Sequence, residues 1–190
     1  MKKTFLTIAL MGMLASSASA LSFNWGASSI AFDGTVLKKS EAVTGYLIYL
    51  SSGEYSTTTL TDTSTGESIA KGIGGTLVST SSTATSNAGK LTTKFSFDYG
   101  TYGNDDVFGM VLVYNDGTDN YYNMSSSTYT LAGIADETSS PDAANFTFSF
   151  SKSDKDGTLS SGGGWTAVPE PSTAMLALAG LALLIKRRRA

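Results

Sequence analysis

The sequence predicts a mainly β chain: an antiparallel, β-sandwich-like domain between an N-terminal signal peptide and a short C-terminal transmembrane helix. Three observations carry this reading. Aromatic and aliphatic residues recur with a period of two through the middle of the chain. Clusters of Gly, Asn, Asp and Ser separate those runs at intervals suited to turns. The 190-residue chain also carries a short apolar run with a basic flank at each end. Alternation is what a half-buried strand requires, because successive side chains point to opposite faces of a sheet.

The elements follow in chain order. Lys2 and Lys3 precede an apolar run over residues 5–14, and small residues then lead to Ala18-Ser19-Ala20. This is the basic, apolar and small-residue order of a secretory signal, with Ala18 and Ala20 at the positions that signal peptidase reads. Residues 1–20 are therefore expected to be removed, leaving Leu21 as the first residue. Tyr46, Leu47, Ile48, Tyr49 and Leu50 form a short apolar run that Ser51, Ser52 and Gly53 terminate. In residues 91–99, Leu91, Thr93, Phe95, Phe97 and Tyr99 share one face. Residues 107–114 are apolar on both faces and read as a central, covered strand. Asn115-Asp116-Gly117-Thr118-Asp119-Asn120 then links this strand to Tyr121-Tyr122-Asn123-Met124, with Asp-Gly supplying the positive φ of a tight hairpin. Phe146, Phe148 and Phe150 alternate in the last strand. Residues 79–89 and 135–144 read as loops, and Gly72-Ile73-Gly74-Gly75 as a turn. These spacings predict seven to ten strands and no long amphipathic helix. The β domain is expected over residues 21–160, with a Gly/Ser-rich linker over residues 161–168.

Charge and composition exclude several functions. Without residues 1–20 and the tail after Val168, 7 basic and 15 acidic residues remain, a net charge of −8. Nucleic acid is not an expected partner, because its phosphates require Lys and Arg. The chain has no Cys and no His, which excludes disulfides, thiol catalysis and a Ser–His–Asp relay. Ser and Thr make up 46 of residues 21–168, but 19 aromatics in the same stretch argue for a packed core over disorder. Outward-facing Thr is soluble and compatible with a strand, which accounts for much of the hydroxyl content.

Candidate chemistry in the middle is sparse. Asp105 and Asp106 are adjacent and would point to opposite faces of an extended segment, so they form no natural acid–base pair. Asp154-Lys155-Asp156-Gly157 resembles half of a calcium loop, without the bidentate acid expected further on. Asp116 and Asp119 offer carboxylates from a turn, and Trp25, Tyr121 and Tyr122 offer rings that could stack on sugars if exposed. No cofactor is expected, and the solvated-turn and core readings take precedence at these positions.

The tail is more specific. Pro169-Glu170-Pro171 is followed by an apolar stretch over residues 174–185 and by Lys186, Arg187, Arg188 and Arg189. Prolines lack an amide donor and restrict the residue before them, so the first part stays extended. A helix over about residues 172–185 approaches the minimal length of a membrane span, with snorkelling Lys and Arg making up the difference. The basic cluster holds its end in the cytoplasm, leaving the middle of the chain across the membrane.

This composite over residues 169–190 resembles the PEP-CTERM sorting signal of Gram-negative bacteria. The resemblance implies that an exosortase, a membrane enzyme, processes the chain near the motif, and that the protein is associated with exopolysaccharide and biofilm production. The expected route is export across the inner membrane, transient anchoring there, and then the cell envelope, cell surface or extracellular space. The resemblance says nothing of the middle domain. The expected function is that of a non-enzymatic envelope or matrix protein. The alternative is a carbohydrate-binding module or carbohydrate-active enzyme displayed at the cell surface.

Overall fold

The computed structural model describes residues 20–33, 35–38, 41–56, 60–82, 89–136, 141, 145–150 and 164–168. Within them the chain forms eleven strands and one short helix. In chain order these are β1 (Ala20–Ala27), β2 (Ala31–Phe32), β3 (Thr35–Val36), β4 (Val43–Leu50), α1 (Gly66–Gly72), β5 (Thr76–Ser82), β6 (Leu91–Asp98), β7 (Val107–Asn115), β8 (Asn120–Met124), β9 (Tyr129–Thr130), β10 (Asn145–Phe148) and β11 (Thr166–Ala167). Four of the eleven have only two residues, which takes the count just past the expected range.

The smaller of the two main sheets has the order β10-β1-β6, and the larger has the order β11-β8-β7-β4-β5 with β9 also pairing β7. The pairs are antiparallel as expected, except that β10 runs parallel to β1 through Asn24↔Asn145 to Ala27↔Phe148. The other edge of β10 is covered: Ser126 N–H donates to Ser149 O (2.8 Å), and Tyr129 Oη donates to Thr147 O (2.5 Å).

One face of each sheet meets the other around a shared core. Leu21, Phe23 and Trp25 of β1, with Phe97, Phe146 and Phe148, face Leu47, Phe108, Met110 and Leu112. Aromatic rings make much of this contact; Phe23 lies 5.6 Å from both Phe95 and Phe108 in edge-to-face arrangements. The opposite face of the larger sheet is buried too. Ile48, Val111 and Tyr122 pack there against Leu60, Ile69, Ala70 and Ile73. Neighbouring residues of a strand therefore serve different cores: Leu47 and Ile48, Val111 and Leu112, Tyr121 and Tyr122 each divide between the two. This is the physical meaning of the doubly apolar run at 107–114, and β7 indeed lies between β4 and β8.

Helix α1 provides that second cover, and the sequence reading did not foresee it. Thr65 Oγ1 accepts from Ser68 N–H (3.0 Å), Glu67 occupies the first turn and Lys71 the last, matching the helix dipole. At seven residues it is too short to stabilise itself, so burial of Ile69 and Ala70 must hold it. Of the turn expected over residues 72–75, Gly72 closes α1 and the turn follows at Ile73 and Gly74, the latter at φ +78°.

Three other expectations change. Residues 79–82, read as part of a loop, belong to β5, an edge strand whose Ser and Thr side chains suit partial exposure. Tyr99 leaves the face shared by Leu91 and Phe97: it lies beyond the end of β6 and is 47% exposed. Residues 164–168, read as the end of a linker, are instead part of the folded domain, as described below.

Candidate functional site at the C-terminal junction

The hairpin at 115–120 shows how this domain uses its carboxylates. Asp116 Oδ1 accepts from the N–H groups of Thr118 and Asp119, both at 2.9 Å, and Gly117 takes φ +97°. Asp116 thereby organises its own turn. Asp106 does likewise, accepting from Gly103 N–H (2.7 Å) through Oδ2 and from Tyr49 Oη (3.0 Å) through Oδ1. That bond, with burial, holds the Tyr49 phenol above its ordinary pKa. Asp105 is exposed and has no part in these bonds. Among the described residues no group of three or more acidic side chains is placed to hold a metal ion. Asp154 and Asp156 lie outside the described residues.

The tightest side-chain constellation is Tyr55 with Ser125, whose hydroxyl oxygens lie 2.6 Å apart. Met110 N–H donates to Tyr55 Oη (2.9 Å), Tyr55 Oη also reaches Met110 O (3.2 Å), and Ser125 Oγ donates to Ser127 O (2.7 Å). Burial pushes the Tyr55 phenol up to about 12, against the opposing effect of the Ser125 and Met110 bonds. A phenol shifted in that direction stays protonated and is a poor base for activating Ser125. The pair plugs the backbone of β7 beside Gly109, where a Cβ would lie 2.7 Å from Tyr55 Cζ. Its bonds tie Tyr55 and Ser125 to the backbone of β7 at Met110.

The rings considered for sugar stacking are all internal. Trp25 is 1% exposed and belongs to the core, and Tyr121 and Tyr122 are buried on opposite faces of β8. A hollow of about 310 Å³ lies over the smaller sheet, lined by Asn24, Lys90, Thr92, Asn145 and Thr147 among others. Its lining is mixed, with Trp25, Ala27 and Phe146 beside the polar side chains, and Asn24 Nδ2 donates to Asn145 Oδ1 (3.0 Å).

The C-terminal junction has the most specific construction. Trp165 is 1% exposed, and its indole N–H donates to Ala31 O (2.6 Å). Phe32 and Tyr114 meet the ring edge-to-face at 5.7 and 6.0 Å. Directly after it, β11 pairs antiparallel with β8 through Thr166↔Tyr122 and Ala167↔Tyr121. Tyr122 Oη accepts from Leu60 N–H (3.2 Å) and also hydrogen-bonds the Thr166 side chain. Val168 N–H donates to Asn120 O (2.8 Å), and the Val168 side chain packs on the second core. The domain thus extends to the residue that immediately precedes Pro169-Glu170-Pro171.

Residues 167–190 match the PEP-CTERM protein-sorting motif. The motif implies exosortase processing, and with it export and membrane-anchored transit before sorting. Its first two matched residues, Ala167 and Val168, are bound to the larger sheet and are the last of the described residues. No curated protein and no solved structure matches the chain.

Pro169, Glu170, Pro171, Lys186, Arg187, Arg188 and Arg189 lie outside the described residues, as do Ala18 and the expected membrane helix over residues 172–185. Among the described residues no helix is long and apolar enough to cross a membrane. Ala20 is exposed at the start of β1, opposite Asp98, and Leu21 beside it is buried. Trp165 is the residue that sequence reasoning missed. A single large ring after three glycines was its only local signal, and its partners Ala31, Phe32 and Tyr114 are distant in sequence.

Proposed function

We propose that the chain is a non-enzymatic protein of the cell envelope or extracellular matrix, exported through its N-terminal signal and sorted by an exosortase through its tail. The carrying observation is the PEP-CTERM match beginning at the last strand of a folded β domain. Removal of residues 1–20 by signal peptidase would leave Leu21 to open β1, in the middle of the smaller sheet. Residues 172–185 hold the tail in the inner membrane, and Lys186, Arg187, Arg188 and Arg189 fix its orientation. Processing near Pro169-Glu170-Pro171 then releases the domain to the envelope, the cell surface or the medium, where association with exopolysaccharide is part of this proposal.

The carbohydrate-active reading has less support, because its aromatic candidates are core residues and its acidic candidates organise turns.

Replacing Pro169, Glu170 and Pro171 together with alanine tests the sorting role. In a host that carries an exosortase, cell fractionation should find this variant retained in the inner membrane with its tail. The wild-type chain should leave that fraction. Equal release of both would refute the role of the motif.

A further inference from the structure

The sorting motif departs from the domain at a strand that is both very short and firmly pinned. β11 has two residues, lies at the end of the sheet order and, among the described residues, pairs only with β8. So short a ladder has little strength of its own; the burial of Trp165 and its bond to Ala31 O fasten it. Between Val168 and the apolar stretch that begins at Ala174 there are five residues, 169–173. Extended at about 3.3 Å per residue they reach about 17 Å. An enzyme that acts on a peptide bond there must grip extended chain on both sides of it, between the membrane and the edge of a folded domain. Opening β11 frees residues 164–168 as well and about doubles that reach.

We propose that β11 is a clasp on the sorting signal: Trp165 holds it closed, and its opening admits the exosortase. This rests on the sorting role proposed above and adds a positioning residue to it. Trp165 does not touch the reacting bond. It sets the fraction of molecules in which the segment before the motif is free. The apparent affinity of an enzyme for its substrate falls by the fraction that is competent to bind. Local opening of a two-residue edge strand is the low-stability kind of motion that proteins use for such access.

Pulse–chase labelling of the full chain, in a host that carries an exosortase, measures conversion from the tail-bearing to the processed form. Trp165→Ala should raise the conversion rate about tenfold through the larger open fraction. Trp165→Phe, which keeps a ring and loses the indole donor, should fall between it and wild type. The opposite variant pairs Asn120→Cys with Val168→Cys across the last bond of the clasp. Once oxidised, it should be processed at less than about a tenth of the wild-type rate, for the same reason. A reductant should return it to the rate of the same double-cysteine chain before oxidation. If Trp165→Ala is degraded before it can be followed, the cross-linked chain decides alone. The clasp is refuted if the cross-linked chain is processed at the wild-type rate, or if an intact Trp165→Ala chain is processed no faster than wild type, while alanine at Pro169, Glu170 and Pro171 still blocks processing. Normal processing of that triple variant would instead remove the sorting role, and the clasp with it.

Discussion

Phe108→Ala is expected to destabilise the domain by about 3–5 kcal/mol, the cost of emptying a fully buried aromatic site. Phe108 sits on β7 in the centre of the larger sheet and is fully buried. Its ring meets Phe23 at 5.6 Å, Phe146 at 6.1 Å and Tyr102 at 5.2 Å, so it joins β1 and β10 of the smaller sheet, and the segment after β6, to the larger sheet. The rings around it are large and fixed by their own strands, so the cavity can collapse only in part. A chain without disulfides has no covalent constraint to offset the loss. Urea unfolding should show a midpoint lower by about 2 M, given slopes of about 1–3 kcal/mol per molar for domains of this size. A change below about 1 kcal/mol would mean that the two sheets do not share this core.

Gly26→Ala is expected to have the next largest effect, through overpacking. A Cβ at Gly26 would overlap Leu91 O and lie 2.8 Å from Leu91 C and 2.9 Å from Thr92 Cα. All three obstacles are backbone of β6, the antiparallel neighbour of β1, so no side chain can rotate aside. Relief requires β1 and β6 to separate near Gly26↔Thr92 and Ala27↔Leu91, or β1 to shift against β10. The expected loss is about 3 kcal/mol, the upper part of the range for overpacked cores. Thermal unfolding and proton chemical shifts along β6 would register it. A neutral outcome would show that β1 and β6 are not so closely apposed there.

Much of this architecture was legible in the sequence, where the pattern was local. The alternation at Leu91, Phe95 and Phe97 and at Phe146 and Phe148 became strands with those residues turned inward. The Asp-Gly turn became the β7–β8 hairpin, with Asn115 opposite Asn120. What escaped depended on distant partners. Helix α1 is only seven residues long and too brief to show a 3.6-residue period; its stability comes from Ile48, Leu50 and Tyr122 on strands elsewhere in the chain. The Ser/Thr-rich end of β5 is a strand because β4 supplies its hydrogen bonds. The parallel pairing of β10 with β1 joins Asn145 to Asn24, a contact no local pattern encodes.

The same division runs through the functional region. The sorting motif is a linear signal and could be read directly from Pro169-Glu170-Pro171, the apolar stretch and the basic cluster. Its attachment to the domain could not. Trp165 looked like part of a Gly-rich connection, and its place became evident only when Ala31, Phe32 and Tyr114 were found around it. The turn reading preferred for Asp116 agrees with its bonds to Thr118 and Asp119 N–H, whereas the bond of Asp106 to Tyr49, 57 residues away, has no local pattern to announce it.

The central claim is that this chain is an exported β domain released by processing of its C-terminal sorting signal. Intact-mass spectrometry of the protein from the envelope and secreted fractions of a host carrying an exosortase tests it most directly. The account predicts a species that begins at Leu21 and ends after Val168 and before Ala174, with β11 retained and the apolar segment gone. Recovery of only the full-length species over residues 21–190, confined to the inner membrane of such a host, would contradict it.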